Sequence, residues 1–424
     1  MKKSTCDIVV IGGGAAGLMA SSAASAKNAR VLLLDKNDKL GKKLRITGKG
    51  RCNITNNRDI RAIIDNLPRG GRFLQGALTK FSAQDTMTFF EELGVRVKTE
   101  RGERVFPVSD SANEVADALV RHARKTGVCI ETAAAVSVLT ENGSVIGVKT
   151  KNGVILCSAA IVAAGGLSYP LTGSTGDGYK MARELGHTVT AQSPSLVPLV
   201  EDGDCCGQMQ GLALRNIRVF VFDGGKKPIY EDFGELLFTH FGLSGPVILS
   251  SSAHMRDFDN KKYHILIDLK PGLDEKKLDT RILSDFAKYS NRDFSNALSD
   301  LLNRLIIPVV VARSGIPPDT KVHSISREQR QALLSTIKGF RIDIASARPV
   351  DEAVVTSGGI SLKEITPSTM ESKLIKGLFF AGEVIDADAY TGGYNLQIAW
   401  STGHLAGESA AKFITEQQVE NNGE

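Results

Sequence analysis

A chain of 424 residues is too long for one ordinary core and predicts two or three domains, while 42% hydrophobic and 23% charged side chains exclude long disordered stretches. A net charge of +5 is mildly basic and falls short of the clustered surplus of a dedicated nucleic-acid binder, so no nucleic-acid partner is expected. Six cysteines form no C-x-x-C pair and no metal-ligand spacing; they read as reduced thiols, with no metal expected and the vicinal Cys205 and Cys206 as loop thiols.

Lys2 and Lys3 precede an apolar, small-residue run that imitates a secretory leader. Gly12, Gly13, Gly14 and Gly17 interrupt that run, and it continues into the strand pattern VLLLD. A strand–turn–helix–strand unit accounts for all of it, and no other run is long enough to cross a membrane. The expectation is a soluble, cytoplasmic protein.

The unit DIVVIGGGAAGLMASSAASAKNARVLLLD carries the spacing G-x-G-x-x-G between a strand and an Ala/Ser-rich helix. Gly12 permits a tight turn, Gly14 lets backbone approach a pyrophosphate, and Gly17 lets the helix sit close to the sheet. The helix N-terminus offers unpaired N–H groups to phosphate. Asp35 ends the next strand, where a carboxylate accepts from ribose hydroxyls.

Directly after it, GKKLRITGKGRCN at 41–53 combines glycines, cations and one cysteine. It is not a Walker loop, since its glycine spacing is wrong and Gly50 stands where Ser or Thr must bind magnesium. Lys42, Lys43 and Arg45 are placed to offset phosphate charge, Gly48 and Gly50 admit close backbone approach, and Cys52 is small enough not to intrude. Redox relay by Cys52 lacks a C-x-x-x-x-C partner.

Residues 60–127 alternate helical patterns with short strands. The strand ending in Ala163, Ala164, Gly165 and Gly166 is a second close-approach turn. From Ser193 the texture becomes short strand patterns, and residues 273–338 carry helical spacing with capping-type starts such as Ser326 with Gln329. The strand at 378–381 ends in Gly382 and Glu383, and Gly392-Gly393-Tyr394-Asn395 opens a helix. A helix N-terminus aimed at a flavin stabilises its reduced, anionic form, and Glu383 is placed for a ribitol hydroxyl. This return of the chain suits FAD better than NAD. The expected architecture is α/β: a discontinuous Rossmann-like FAD-binding domain over 1–192 and 356–424, an inserted small β domain over 193–272 and 339–355, and a helical cap subdomain over 273–338.

DIVVIGGGAAGL, GKKLRITGKGRCNITN, GELLFTHFGLSGP and TSGGISLKEITPSTMESKLIKGLFFAGEVIDADAYTGGYNLQIAW together resemble the BaiN/YhiN-like family of NAD(P)/FAD-dependent oxidoreductases, along essentially the whole chain. The resemblance implies phosphate contacts from Gly12, Gly14, Ala15, Ala16 and Gly17, and adenosine-side contacts from Asp35 and Lys36. It implies flavin-side contacts from Gly50, Arg51 and Cys52, a backbone contact to adenine near Val136, and ribitol and ring contacts from Glu383, Asn395 and Leu396. Asp stands at 35 where many flavoproteins have Glu, so it reaches one ribose hydroxyl.

Only one G-x-G-x-x-G unit is present, so NAD(P)H is expected as a transient electron donor at the flavin face. The catalytic candidates are His240, Arg348 and Tyr390; Asp386 and Asp388 read as solvated carboxylates. The leading expectation is NAD(P)H-driven reduction, through bound FAD, of a conjugated C=C in a small apolar substrate. A flavin oxidase acting on a small amine and a flavoprotein RNA-binding or assembly module are the alternatives. The spacing of residues says nothing of the oligomeric state.

Overall fold

A computed structural model describes residues 4–422. The chain divides into two compact units, residues 1–195 with 350–424 and residues 196–349. The strand Ser193–Ser195, expected at the start of the inserted domain, and Val355–Ser357, which spans the expected 355/356 boundary, pair antiparallel with each other and belong to the first unit.

The first unit is built on a five-stranded parallel sheet in the order Leu378–Phe380, Ala159–Val162, Ile8–Ile11, Val31–Asp35, Cys129–Thr132. Ile8 lies opposite both Ala159 and Val31, and Leu32 opposite Cys129, so the strand ends lie near one level. Ile8–Ile11 is buried throughout, as a strand covered on both faces must be. An antiparallel meander of Ala135–Glu141, Ser144–Thr150 and Gly153–Leu156 lies in a separate sheet.

Two helices cross at the heart of this unit: Ala15–Ser25 follows the first sheet strand, and Tyr394–Asn422 returns from the far end of the chain. Their approach depends on small residues. A Cβ on Gly403 would lie 2.5 Å from the Ala16 carbonyl oxygen, and one on Gly407 would overlap that of Ala20. Trp400 is fully buried, donates its indole N–H to the Ile54 carbonyl at 2.9 Å, and meets Phe90 edge-on.

The second unit is a closed barrel of six antiparallel strands: Leu199–Glu201, Gly242–Ser244, Tyr230–Thr239, Ala213–Phe222, Tyr263–Asp268 and Phe340–Ala347. Closure removes the exposed edges that short strands otherwise leave. Helices Glu275–Lys288, Ile307–Ser314 and Arg327–Lys338 share one hydrophobic cluster with the barrel, to which Leu278, Val310 and Leu333 belong together with the strand residues Val219 and Ile265. Ser326 and Gln329 form the expected capping box. The helical pattern at 296–315 is broken, however: a short helix Phe294–Ala297 stops, and a new one begins where Pro308 fits its first turn. Among the described residues, no helix is long and apolar enough to cross a membrane.

Candidate functional site

The glycine turn is shaped by what its neighbours forbid. Gly12 sits at φ +109°, and a Cβ there would lie 2.5 Å from the Ala163 carbonyl oxygen, so the two close-approach turns are in contact. Gly14, by contrast, faces open space: a Cβ on it meets nothing within 4 Å. No side chain caps the helix that starts at Ala15. The N–H groups of that first turn, at Ala15, Ala16 and Gly17, have no intrahelical acceptor, and a pyrophosphate supplies one. A Cβ on Gly17 would overlap the Gly12 carbonyl, which ties the helix to the turn.

Asp35 is already busy with the protein. Its Oδ2 accepts from the Gly13 N–H at 2.7 Å, and its Oδ1 accepts from the backbone and side chain of Asn37 at 2.7 and 2.9 Å. A carboxylate has about four acceptor positions, and the protein fills three of them. Lys36 is placed differently from expectation: its ammonium pairs with Asp177 at 2.6 Å and with Thr175. The adenine-side position at Val136 falls at a register slip between Ala135 and Ser137, where a bulge leaves its backbone out of the ladder.

The two adjacent lysines of GKKLR part company. Lys42 stays on the surface with Asn37 at 3.2 Å and Asp38 at 3.3 Å. Lys43 reaches across 340 residues of sequence to Glu383 Oε2 at 2.6 Å, and also donates to Ser168 Oγ at 2.6 Å. Glu383 Oε1 accepts from Ser168 Oγ at 3.1 Å and from the Thr356 N–H at 2.9 Å. The turn carrying Glu383 is fixed at Gly382, whose N–H donates to Thr402 Oγ1 at 2.9 Å and whose φ of +75° brings it against Ala16. The sequence places Lys43 to offset phosphate charge, but in the structure that charge pairs with Glu383; Ser168 and Thr356 gave no signal because each is ordinary in its local context.

Arg45 is bound to Asn113 at 3.0 Å and Asp117 at 2.7 Å, so its charge is spent locally. Arg51 likewise pairs with Asp110 at 2.7 Å and with Glu100, and lies 4.2 Å from the Phe106 ring centroid. These carboxylates hold the Arg51 guanidinium above its ordinary range, and its side chain is an anchor for the loop; only its backbone is left for a ligand. Gly50 is exposed with open space at its Cβ position. Cys52 is fully buried, and burial pushes its thiol up to about 12, which keeps it protonated near neutrality.

Asn395 clamps its own loop: its Nδ2 donates to the Ala389 carbonyl at 2.7 Å, and its Oδ1 accepts from the Ala389 N–H at 3.0 Å. It therefore sets the shape of the turn before the helix at Tyr394, while Leu396 packs half-buried against the core. Ala164 and Gly165 follow the strand Ala159–Val162, and a Cβ on Gly165 would come within 3.3 Å of Ser174 Oγ. Asp388 corrects the expectation of a solvated carboxylate. It is 1% exposed and accepts from Ser195 Oγ at 2.8 Å and Ser357 Oγ at 3.1 Å, hydroxyls from the paired strands Ser193–Ser195 and Val355–Ser357. Asp386 pairs with Arg69 at 3.1 Å.

Of the catalytic candidates, Tyr390 lies in the first unit, half-buried, its N–H donating to the Asn66 carbonyl at 3.0 Å. His240 and Arg348 lie in the second unit, where both meet Phe241: the His240 ring edge-on with centroids 5.0 Å apart, and the Arg348 guanidinium 4.8 Å from the ring centroid. In the same unit Cys205 Sγ donates to Glu201 Oε1 at 2.8 Å, with Arg313 Nη2 at 3.0 Å from that sulfur. Glu201, Cys205 and Cys206 bring potential metal-ligand atoms within 4.8 Å of one another, but one of the three, the Cys205 sulfur, already accepts from the Arg313 guanidinium. The hydrogen bond to Cys205, burial and the Glu201 charge all raise the Cys206 thiol.

The chain matches the family model described as HI0933-like protein Rossmann domain over residues 6–409. It is 30% identical over 410 residues to a 3-dehydro-bile acid delta(4,6)-reductase of Clostridium scindens, covering 96% of this chain and 99% of that one. It is also 30% identical over 400 residues to a ribosomal RNA dihydrouridine synthase of Escherichia coli, covering 93% and 96%. Among solved structures, a flavocytochrome c3 fumarate reductase superposes with a TM-score of 0.52 at 18% identity, covering 97% of this chain and 79% of that one. The 3-ketosteroid-delta4-(5alpha)-dehydrogenase of Rhodococcus jostii RHA1 gives 0.51 at 16%, covering 97% and 98%; at such identities the likeness is one of fold. With a single dinucleotide turn, a returning C-terminal helix and a family match spanning both units, this chain belongs to the HI0933-like Rossmann-domain family.

Proposed function

We propose that this protein is an FAD-dependent reductase that saturates a carbon–carbon double bond conjugated to a carbonyl, with NAD(P)H as transient electron donor. The observation that carries the reading is the open, uncapped helix start behind Gly14, with the Gly382–Glu383 turn packed on it. That cradle fits FAD. Gly12, Gly14, Ala15, Ala16 and Gly17 would hold the pyrophosphate, Asp35 a ribose hydroxyl, and the backbone at Val136 the adenine. Gly50, the Arg51 and Cys52 backbone, Ala164, Gly165, Glu383 and Leu396 would flank the rest, on a turn that Asn395 shapes. When bound, FAD supplies hydride transfer. The chain's own part is to position it, with the field of the helix beginning at Tyr394 favouring a reduced, anionic ring. Cys52, neutral and buried, serves as a spacer.

Support for the reaction class comes from the relatives' names. A delta(4,6)-reductase acting on a 3-dehydro bile acid and a synthase making dihydrouridine both saturate a C=C conjugated to a carbonyl. A second reading of the substrate, a uracil ring carried on RNA, is favoured by the two relatives named as ribosomal RNA dihydrouridine synthases. The test is anaerobic mixing of the FAD-loaded protein with NADH or NADPH, followed by a 3-oxo-4-ene steroid or a uridine-containing RNA fragment. Bleaching of the flavin absorbance and its return on adding one of the acceptors is expected; no bleaching by either nucleotide overturns the donor assignment. Return with neither acceptor overturns the substrate class.

A further inference from the structure

The helical part of the second unit holds an open cleft of about 1,200 Å³ between the helices Phe294–Ala297 and Ile307–Ser314 and the loop 315–321. Its walls are tied in place by backbone bonds: the Phe294 N–H donates to the Thr320 carbonyl at 2.9 Å and the Ser295 N–H to Pro318 at 3.1 Å. Ile307 and Val311 give an apolar floor, and Pro317 and Pro318 give flat exposed faces. A cleft this open to solvent does not enclose a small apolar ligand, which normally loses most of its surface to its site.

Charge decides what fits there. Asp293 is the one acidic residue lining the cleft, and Lys321 already neutralises it at 2.7 Å. Arg292 and Arg304 also line it, and neither has a carboxylate partner among the described residues. Elsewhere on this unit cations are commonly paired, as in Arg281 with Asp285, Lys288 with Asp300, Arg330 with Asp279 and Lys338 with Asp268. The Arg292 guanidinium lies 4.3 Å from the Tyr289 ring centroid, a contact that covers one of its faces, while the exposed side chain leaves N–H groups for a phosphate. Two unmatched guanidinium groups over a flat apolar floor suit a polyanion whose charges alternate with planar rings.

We propose that this cleft binds a single-stranded RNA segment, its phosphates on Arg292 and Arg304 and its bases against Pro317 and Pro318. The proposal rests on the reading of the substrate as a uracil carried on RNA. A modest overall charge is no objection, because the surplus is local. The test is fluorescence anisotropy of the FAD-loaded protein with a labelled single-stranded oligouridylate, from 50 to 200 mM salt. With two or three phosphates neutralised, affinity falls roughly tenfold over that range, and Arg292→Ala with Arg304→Ala lowers the log–log salt slope by about 1.4. The same double variant weakens binding at least tenfold at low salt and leaves nicotinamide-driven flavin bleaching unchanged. Lys226→Ala with Lys227→Ala, an equal charge change in an exposed turn outside the cleft, leaves binding within twofold. Absence of oligouridylate binding, binding indifferent to the arginines, or equal binding of a polyaspartate peptide overturns the proposal. Flavin bleaching and turnover of a 3-oxo-4-ene steroid would then still stand, so the failure of the cleft and the failure of the reaction class are separable.

Discussion

Replacing Lys43 by Met isolates the contact that joins the two ends of the first unit. Lys43 and Glu383 have side-chain exposures of 22% and 20%, so their 2.6 Å pair is shielded from most of the solvent. In Lys43→Met, Glu383 keeps its charge but only two neutral donors, Ser168 Oγ and the Thr356 N–H. Losing a hydrogen bond to a charged group costs about 1.5–3 kcal/mol, or roughly 10- to 150-fold in the folding equilibrium. Glu383→Gln costs less, since the amide oxygen still accepts from Ser168 and Thr356, and Lys43 can turn towards water. The double variant should therefore be more stable than the sum of the single losses predicts, by at least about 1 kcal/mol. Urea unfolding of the apoprotein, followed by the fluorescence of Trp400, reads this out; it is the sole tryptophan and lies buried in the same unit. Additivity of the two single changes within about 0.5 kcal/mol would refute the coupling.

The glycine turn separates folding from binding. Gly14→Ala meets open space and should leave the melting temperature of the apoprotein unchanged while weakening FAD at least tenfold, about 1.4 kcal/mol, by fluorescence titration. Gly17→Ala should lower stability itself, because its Cβ overlaps the Gly12 carbonyl; equal behaviour of the two variants would contradict the geometry. Burial holds His187 below its ordinary 6.5, between Glu364 at 3.2 Å and Ser372 at 2.9 Å. The unfolded ring takes up a proton before the folded one, so its contribution is whole above about 6.5 and is lost as pH falls towards the folded value. The urea midpoint should drop between pH 7.5 and 5.5, with a shallower slope in His187→Gln; His122, His264 and His404 shift in the same direction and leave a residual slope. A midpoint flat across that window would count against it. Cys52 in the native protein should resist iodoacetamide at pH 8, and Cys52→Ala should keep flavin reduction; rapid alkylation or loss of bleaching would restore a thiol role.

The glycine spacing, the acidic strand end and the return of the chain at Gly382–Glu383 were all legible, because a tight turn and a close helix approach admit few residue types. The capping box at Ser326 was legible for the same reason, being a contact within one turn. What spacing leaves open is which partner a long or charged side chain finds. Lys42 and Lys43 are neighbours of identical chemistry, and only the packing of residue 383 beside residue 43 sends one to the surface and the other to Glu383. Arg51 looked like a ligand contact until Glu100 and Asp110 were brought to it by the strand Val97–Glu100 and the turn after Pro107. Asp388 looked solvated in a loop, yet hydroxyls from Ser195 and Ser357 bury it. Local backbone chemistry is written in consecutive residues and can be read there. Charge pairing and burial depend on segments far apart in the chain, so only the tertiary structure decides them.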